Sequence, residues 1–158
     1  MLCEADIVVS WRSRPQGFAA LMSLYESNYL RLKRLAGDPA RLSGTLISRV
    51  SGDCELQLSV LEHMRYTSTL ALTYLLAQAE TGAPQRLPDL KLRVYHDAGL
   101  LEVEAVPQQH NPRGRQAGLG PFRLRPARER ELHQRWMRNM MLNKWLEYCA
   151  DRGHRFTG

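Results

Sequence analysis

The sequence predicts an α+β domain: an N-terminal helix, an antiparallel sheet of about five strands in meander order, and a C-terminal helix packed on the sheet. Three observations carry this. Apolar residues recur at steps of three and four from Phe18 to Leu35 and again beyond Ala127, whereas between these segments they alternate at every second position. Turn residues punctuate the alternating region at Ser51-Gly52-Asp53 and at Asp97-Ala98-Gly99. The run from Leu90 to Glu104 also folds back on itself in one charge-matched register.

Residues 1–16 show no clean period and contain Arg12-Ser13-Arg14-Pro15, which reads as a flexible arm before a single domain over 17–158. In the first helix Phe18, Leu21, Met22, Tyr25, Tyr29, Leu32 and Leu35 form one apolar face. Arg31, Lys33 and Arg34 suit the negative end of its dipole, and Gly37-Asp38-Pro39 stops it. Leu46, Ser48 and Val50 alternate before the turn at 51–53, and Leu56, Leu58 and Val60 alternate after it, which is a hairpin with one wet face. From Tyr66 to Gln78 the threonines and tyrosines favour a strand over a helix, because branched and aromatic side chains fit a pleated surface. Glu80 to Pro88 reads as a loop.

The next hairpin is registered by its charges. With Val94 opposite Leu101, Arg93 faces Glu102, Leu92 faces Val103 and Lys91 faces Glu104. A one-residue slip sets Glu against Val. Pro107 to Pro126, with four prolines and three glycines, reads as an irregular loop. The last helix runs from about Ala127 to Asp151, with Leu132, Trp136, Met137, Met140, Met141, Trp145, Tyr148 and Cys149 as its apolar face and Gly153 as its stop. Asn139 and Asn143, four apart, read as surface polar residues.

The net charge of +6 is local. Arg113, Arg115, Arg123, Arg125, Arg128 and Arg130 stand against the single acid Glu129, which leaves the rest of the chain close to neutral. Three scattered cysteines (Cys3, Cys54 and Cys149) without a Cys-x-x-Cys pair point to a reducing compartment. The acidic, interrupted N-terminus lacks a signal-peptide pattern, and no apolar run approaches the ~20 residues of a membrane span. The expectation is a cytoplasmic protein without membrane contact.

Arg65-Tyr66-Thr67, Val94-Tyr95-His96-Asp97-Ala98, Leu132-His133-Gln134, Asn139, Trp145-Leu146, Tyr148-Cys149 and Gly153-His154 follow one another in an order that resembles the YqiB-like bacterial proteins, a domain of unknown function. The likeness runs from about residue 17 to 155. It implies a small cytoplasmic protein, often encoded near a Nudix hydrolase and a cyclic-nucleotide phosphodiesterase, and no established activity. Members carry Tyr-Pro-Asn before the His-Gln pair and Asp-Glu-Lys after it. Here Arg125-Pro126-Ala127-Arg128-Glu129 precedes the pair and Arg135-Trp136-Met137-Arg138 follows.

Tyr95, His96 and Asp97 form a polar hairpin tip. His96-Asp97 invites comparison with metal-dependent phosphohydrolases, but a turn in which Asp97 bonds its own backbone explains it more simply. The remaining histidines show no metal-ligand spacing, and no cofactor motif is present. His133-Gln134, near the start of the last helix, is a candidate anion contact. Trp136, Met140 and Met141 read as core. The arginine segment is the main functional lead, since guanidinium forks grip phosphate or carboxylate in two places. Arg113, Arg115, Arg123, Arg125 and Arg128 are its candidate ligand-binding residues.

The leading expectation is a non-enzymatic binding or regulatory protein whose partner is a nucleotide, RNA or an acidic protein surface. One alternative is a small phosphate-handling hydrolase using His96, Asp97 and His133. Another is an interaction subunit of a neighbouring enzyme that presents the Met- and Trp-rich last helix. The sequence leaves the oligomeric state open.

Overall fold

The structure, a computed structural model, describes residues 17–77, 82–105 and 127–156. The expected arm at 1–16 and the loop with Arg113, Arg115, Arg123 and Arg125 lie outside the described residues. Arg128 falls in the first turn of the last helix. The elements are α1 (Phe18–Ala36), a 3-10 turn (Pro39–Arg41), β1 (Thr45–Ser48), β2 (Glu55–His63), β3 (Thr67–Leu76), β4 (Gln85–Tyr95), β5 (Leu100–Val103) and α2 (Ala127–Asp151). The strands pair antiparallel in the order β1-β2-β3-β4-β5, the α+β meander that the sequence predicts.

One sheet face makes the core. Leu56, Leu58, Leu70, Leu72, Leu92, Val94, Leu101 and Val103 alternate inward and meet Leu32 and Leu35 of α1 and Leu142, Leu146 and Cys149 of α2. Burying each of these aliphatic side chains is worth about 1.5–3 kcal/mol. The helices lie side by side and point the same way. Leu21, Leu24 and Tyr25 pack on Trp136 and Met140, and further along Arg31 reaches Glu147 at 3.7 Å. α1 ends at Gly37, whose φ of +76° suits glycine and whose N–H bonds the Lys33 carbonyl. Lys33 and Arg34 occupy its last turn as predicted, but Arg31 is buried against α2.

The β4–β5 register is the predicted one, with Val94 opposite Leu101, Arg93 opposite Glu102 and Leu92 opposite Val103. Three other expectations need correction. First, β4 begins at Gln85, within the stretch read as a loop. Its pairing with β3 shifts between Thr73 and Leu75, so Leu87 and Pro88 stand opposite Tyr74 alone. A proline lacks the N–H that a ladder needs, and a bulge is where a strand tolerates that loss.

Second, the phase of α2 differs from the apolar face proposed above. Met137, Met141 and Tyr148 are 54%, 49% and 48% exposed. Third, Asn139 and Asn143 are completely buried rather than on the surface. They line the seam between the helices and the edge strand. Asn143 Nδ2 donates to Ser27 Oγ and Asn28 Oδ1, while Asn139 Oδ1 accepts the Val103 N–H at 2.9 Å and its Nδ2 donates to the Arg135 carbonyl. Asn28 Nδ2 lies 3.4 Å from the Leu101 carbonyl and from Asn139 Oδ1. Outward backbone groups of β5 thus find helix side chains, which blunts an otherwise open sheet edge.

Candidate functional site

Three polar constellations stand out, and each follows from the topology. The first lies where α2 passes the β5 edge. A groove of about 290 Å³ is lined by Arg93 of β4, Glu102, Val103 and Glu104 of β5 and its exit, Ala105, and Arg135 and Arg138 of α2. Arg93 pairs with Glu104 at 2.8 Å, and Lys91 pairs with the other oxygen of that carboxylate at 3.2 Å. The Glu104 charge outweighs burial and raises the pKa of Arg93 above its ordinary value. Glu102, opposite Arg93 in register, instead accepts the Tyr95 hydroxyl at 2.6 Å. Tyr25 faces the same carboxylate, and burial, followed by that charge, pushes its hydroxyl up to about 12. Arg135 pairs with Glu131 at 2.8 Å along the helix. Among the described residues Arg138 has no ion pair, and its Nε is buried without a hydrogen-bond partner.

The second constellation joins two hairpin tips. An extra residue, Leu61, bulges out of β2, which turns His63 to the same sheet face as its partner Ser68. Ser68 Oγ then lies 2.9 Å from His63 Nδ1 and 2.8 Å from His96 Nε2. Burial and the neighbouring His63 hold the pKa of His96 below its ordinary value, against the pull of Asp38 and Asp97.

The third ties the C-terminal segment to the β1–β2 turn. His154 is sealed from solvent, with Nδ1 2.9 Å from Ser48 Oγ and Nε2 2.9 Å from Asp53 Oδ2. Since the Arg155 N–H donates to Ser48 Oγ, the hydroxyl is free to donate to Nδ1, and Nε2 then carries the proton shared with Asp53. Asp53 also accepts the Cys54 N–H and the Tyr74 hydroxyl. Burial alone would raise its carboxyl, but these hydrogen bonds outweigh it and hold the pKa below its ordinary value. The same hydroxyl lies 3.2 Å from Cys149 Sγ, whose thiol burial pushes up to about 11. This is a serine, a histidine and an aspartate in line, but Ser48 is 4% exposed and its hydroxyl is held between His154 and the Arg155 N–H. The arrangement fastens the chain and does not present a nucleophile. A wider depression of about 700 Å³ beside Asp53 and Glu55 is equally committed, because Glu55 pairs with Arg49 at 2.7 Å.

Of the residues expected to bind, Tyr95 points into the Glu102 contact, His96 into the Ser68 bridge, and Asp97 is exposed in the turn. His133 and Gln134 are exposed on α2. They are its seventh and eighth residues, past the four free N–H groups at its start. No hydrogen bond, ion pair or ring contact among the described residues joins them to His96 or Asp97. Sequence reasoning missed Arg135 and Arg138 as groove residues, and it missed His63 and Ser68. Only the bulge brings the latter two together, and alternation alone would have turned His63 to the other face.

Similarity searches place these features in a family. The family model described as "Protein of unknown function (DUF1249)" matches residues 31–155, which includes most of all three constellations. The uncharacterized protein YqiB of Escherichia coli strain K12 is 29% identical over 145 residues, covering 86% of this chain and 90% of the relative. The YqiB sequences of strains O6:H1 and O157:H7 match to the same extent. No solved structure matches. A family-model match over most of the length means that the chain belongs to the DUF1249 family of YqiB-like proteins of unknown function.

Proposed function

We propose that this protein binds rather than catalyses, and that it engages an anionic partner (a nucleotide, RNA or an acidic protein surface) through the groove beside β5 and the arginine segment that follows. One observation supports this reading above the others. Arg93, Arg135 and Arg138 reach one groove from two elements, and the chain leaves that groove at Ala105 to enter the segment carrying Arg113, Arg115, Arg123, Arg125 and Arg128. Arginine forks from a sheet and a helix around one opening suit phosphate or carboxylate oxygens. The groove also holds Glu102 and Glu104, so the arginine segment would supply most of the attraction. Three scattered cysteines without a Cys-x-x-Cys pair support a cytoplasmic setting for such binding.

The test is binding of labelled single-stranded RNA, of a polyglutamate peptide and of ATP across a salt series. A nucleic-acid partner predicts affinity falling by roughly 0.7 log unit per log unit of salt for each phosphate neutralised. Arg138→Ala and a triple Arg123, Arg125 and Arg128→Ala variant are both expected to weaken the preferred probe. Unchanged binding in both variants would remove the groove from consideration.

A second reading, the interaction subunit, has its own support. Met137, Met141 and Tyr148 stand about half-exposed along one side of α2, even though Trp136 and Met140 are buried. The hydrolase reading gains no comparable support, because no hydrogen bond, ion pair or ring contact among the described residues joins His133 to His96 or Asp97.

A further inference from the structure

Ser68 is 2% exposed, and its hydroxyl is shared between two imidazoles. The oxygen has one proton to give and two lone pairs to receive. Between two neutral rings it donates to one and accepts from the other. A first added proton is compatible with this arrangement, since the charged ring donates to Oγ and the hydroxyl donates to the ring that is still neutral. A second is not. Both ring nitrogens then point N–H groups at the same oxygen, and the serine proton loses its acceptor. Two cations also stand with ring centroids 5.8 Å apart.

The two rings are not equivalent. His63 is exposed on β2, whereas His96 is partly buried and its Nδ1 is sealed from water with no hydrogen-bond partner among the described residues. Of the two rings, His96 is therefore the one whose charging its surroundings oppose. Among the described residues the groups facing His96 are His63 from β2, Ser68 from β3, Asp38 just beyond α1 and Asp97 in its own turn. Tyr29 of α1 packs on the neighbouring Gly99. The bridge spans a junction between tips that the backbone also ties, because the His96 N–H donates to the Tyr66 carbonyl at 2.9 Å, while the Met64 N–H donates to the Thr67 carbonyl at 2.8 Å and closes the β2–β3 turn itself.

We propose that His63, Ser68 and His96 form a proton-operated latch between the β2–β3 and β4–β5 tips, closed while at most one ring is charged and released when both are. Release frees the β2–β3 tip, with its exposed Leu61, Met64 and Tyr66, from the sheet end. Burial and His63 both oppose charging of His96, so release falls on the acid side of neutrality.

The experiment follows the histidine ring C–H resonances of the full chain by NMR from about pH 8 to about pH 4.5, with amide exchange of Met64 and His96 at each step. Two separated titrations are expected, that of His96 at the lower pH. Protection of the His96 amide should fall by about tenfold across the second titration, after correction for intrinsic exchange. In His63→Gln, which cannot charge, His96 should titrate at higher pH and its amide should stay protected through the acid range. Ser68→Ala keeps both charges but removes the shared hydroxyl, so the tips should loosen already at neutral pH. An unchanged His96 midpoint in His63→Gln, or flat protection across the second titration, overturns the latch. Because both readings come from the wild type and His63→Gln, failure of Ser68→Ala to fold leaves the proposal testable.

Discussion

Asn139 Oδ1 accepts the backbone N–H of Val103 at 2.9 Å, so a buried side chain of α2 takes up a backbone donor of β5. The same amide donates to the Arg135 carbonyl one turn back. Replacing Asn139 by Ala leaves the buried Val103 N–H without this acceptor, while the Arg135 carbonyl keeps the helix's own bond. A stability loss of about 2–3 kcal/mol in urea unfolding is expected, well above the cost of an ordinary surface change.

The phase of α2 is open to a paired test. Trp136 is 3% exposed and packs among Leu21, Leu24, Tyr25 and Met140. Truncating it to Ala should cost about 3–5 kcal/mol. Met141→Ala, at a half-exposed position, should change stability by no more than about 0.5 kcal/mol. Equal losses would mean that the helix is rotated from the position described.

Acid should loosen the C-terminal segment through Asp53. Its folded pKa lies below the ordinary carboxyl value of 3.8, so its contribution to stability is fully present above that value and is lost as pH falls through the lower, folded one. Unfolding free energy measured between about pH 6 and pH 2 should drop along this limb. In Asp53→Asn the limb should flatten, because the neutral amide keeps the turn but has no charge to lose. A limb as steep as that of the wild type would assign the acid sensitivity to other carboxylates.

Glu104 competes with any anion for Arg93 and Lys91. Glu104→Gln should therefore tighten binding of the preferred anionic probe by about three- to tenfold at low salt, an advantage that shrinks as salt screens the groove. Weaker binding in this variant would indicate a cationic ligand.

Much of this architecture can be read from residue patterns, and the parts that cannot have identifiable causes. Period two and period three-to-four separate strands from helices because one face of each is dry. Lys91, Arg93, Glu102 and Glu104 fix the β4–β5 register because a slip by one sets charge against Val103 and Leu101. Even so, the short ion pair of Arg93 is the diagonal one to Glu104, not the one across to Glu102. Asn139 and Asn143 look like surface residues by polarity, and only the proximity of α1 and β5 gives them partners. The Leu61 bulge and the bulge opposite Tyr74 leave no local signature strong enough to place them. For that reason alternation alone does not turn His63 toward Ser68, and Gln85 falls within the stretch that reads as a loop. The candidate site was legible as a charge cluster but not as a groove, since Arg135 and Arg138 look like ordinary helix cations until α2 is laid beside β5.

The parallel course of α1 and α2 sets the order in which the molecule can be finished. The two helices are separated in the chain by the entire sheet, yet Asn28 and Ser27 wait for Asn143, and Val103 waits for Asn139. On a ribosome the strands emerge well before α2, so the nascent sheet stands with its leucine face half covered until the last helix is released. Native closure is thus a late, long-range event. A chain halted before Asn139 would expose both a greasy sheet face and an uncapped edge, the two surfaces through which unfinished chains stick to one another.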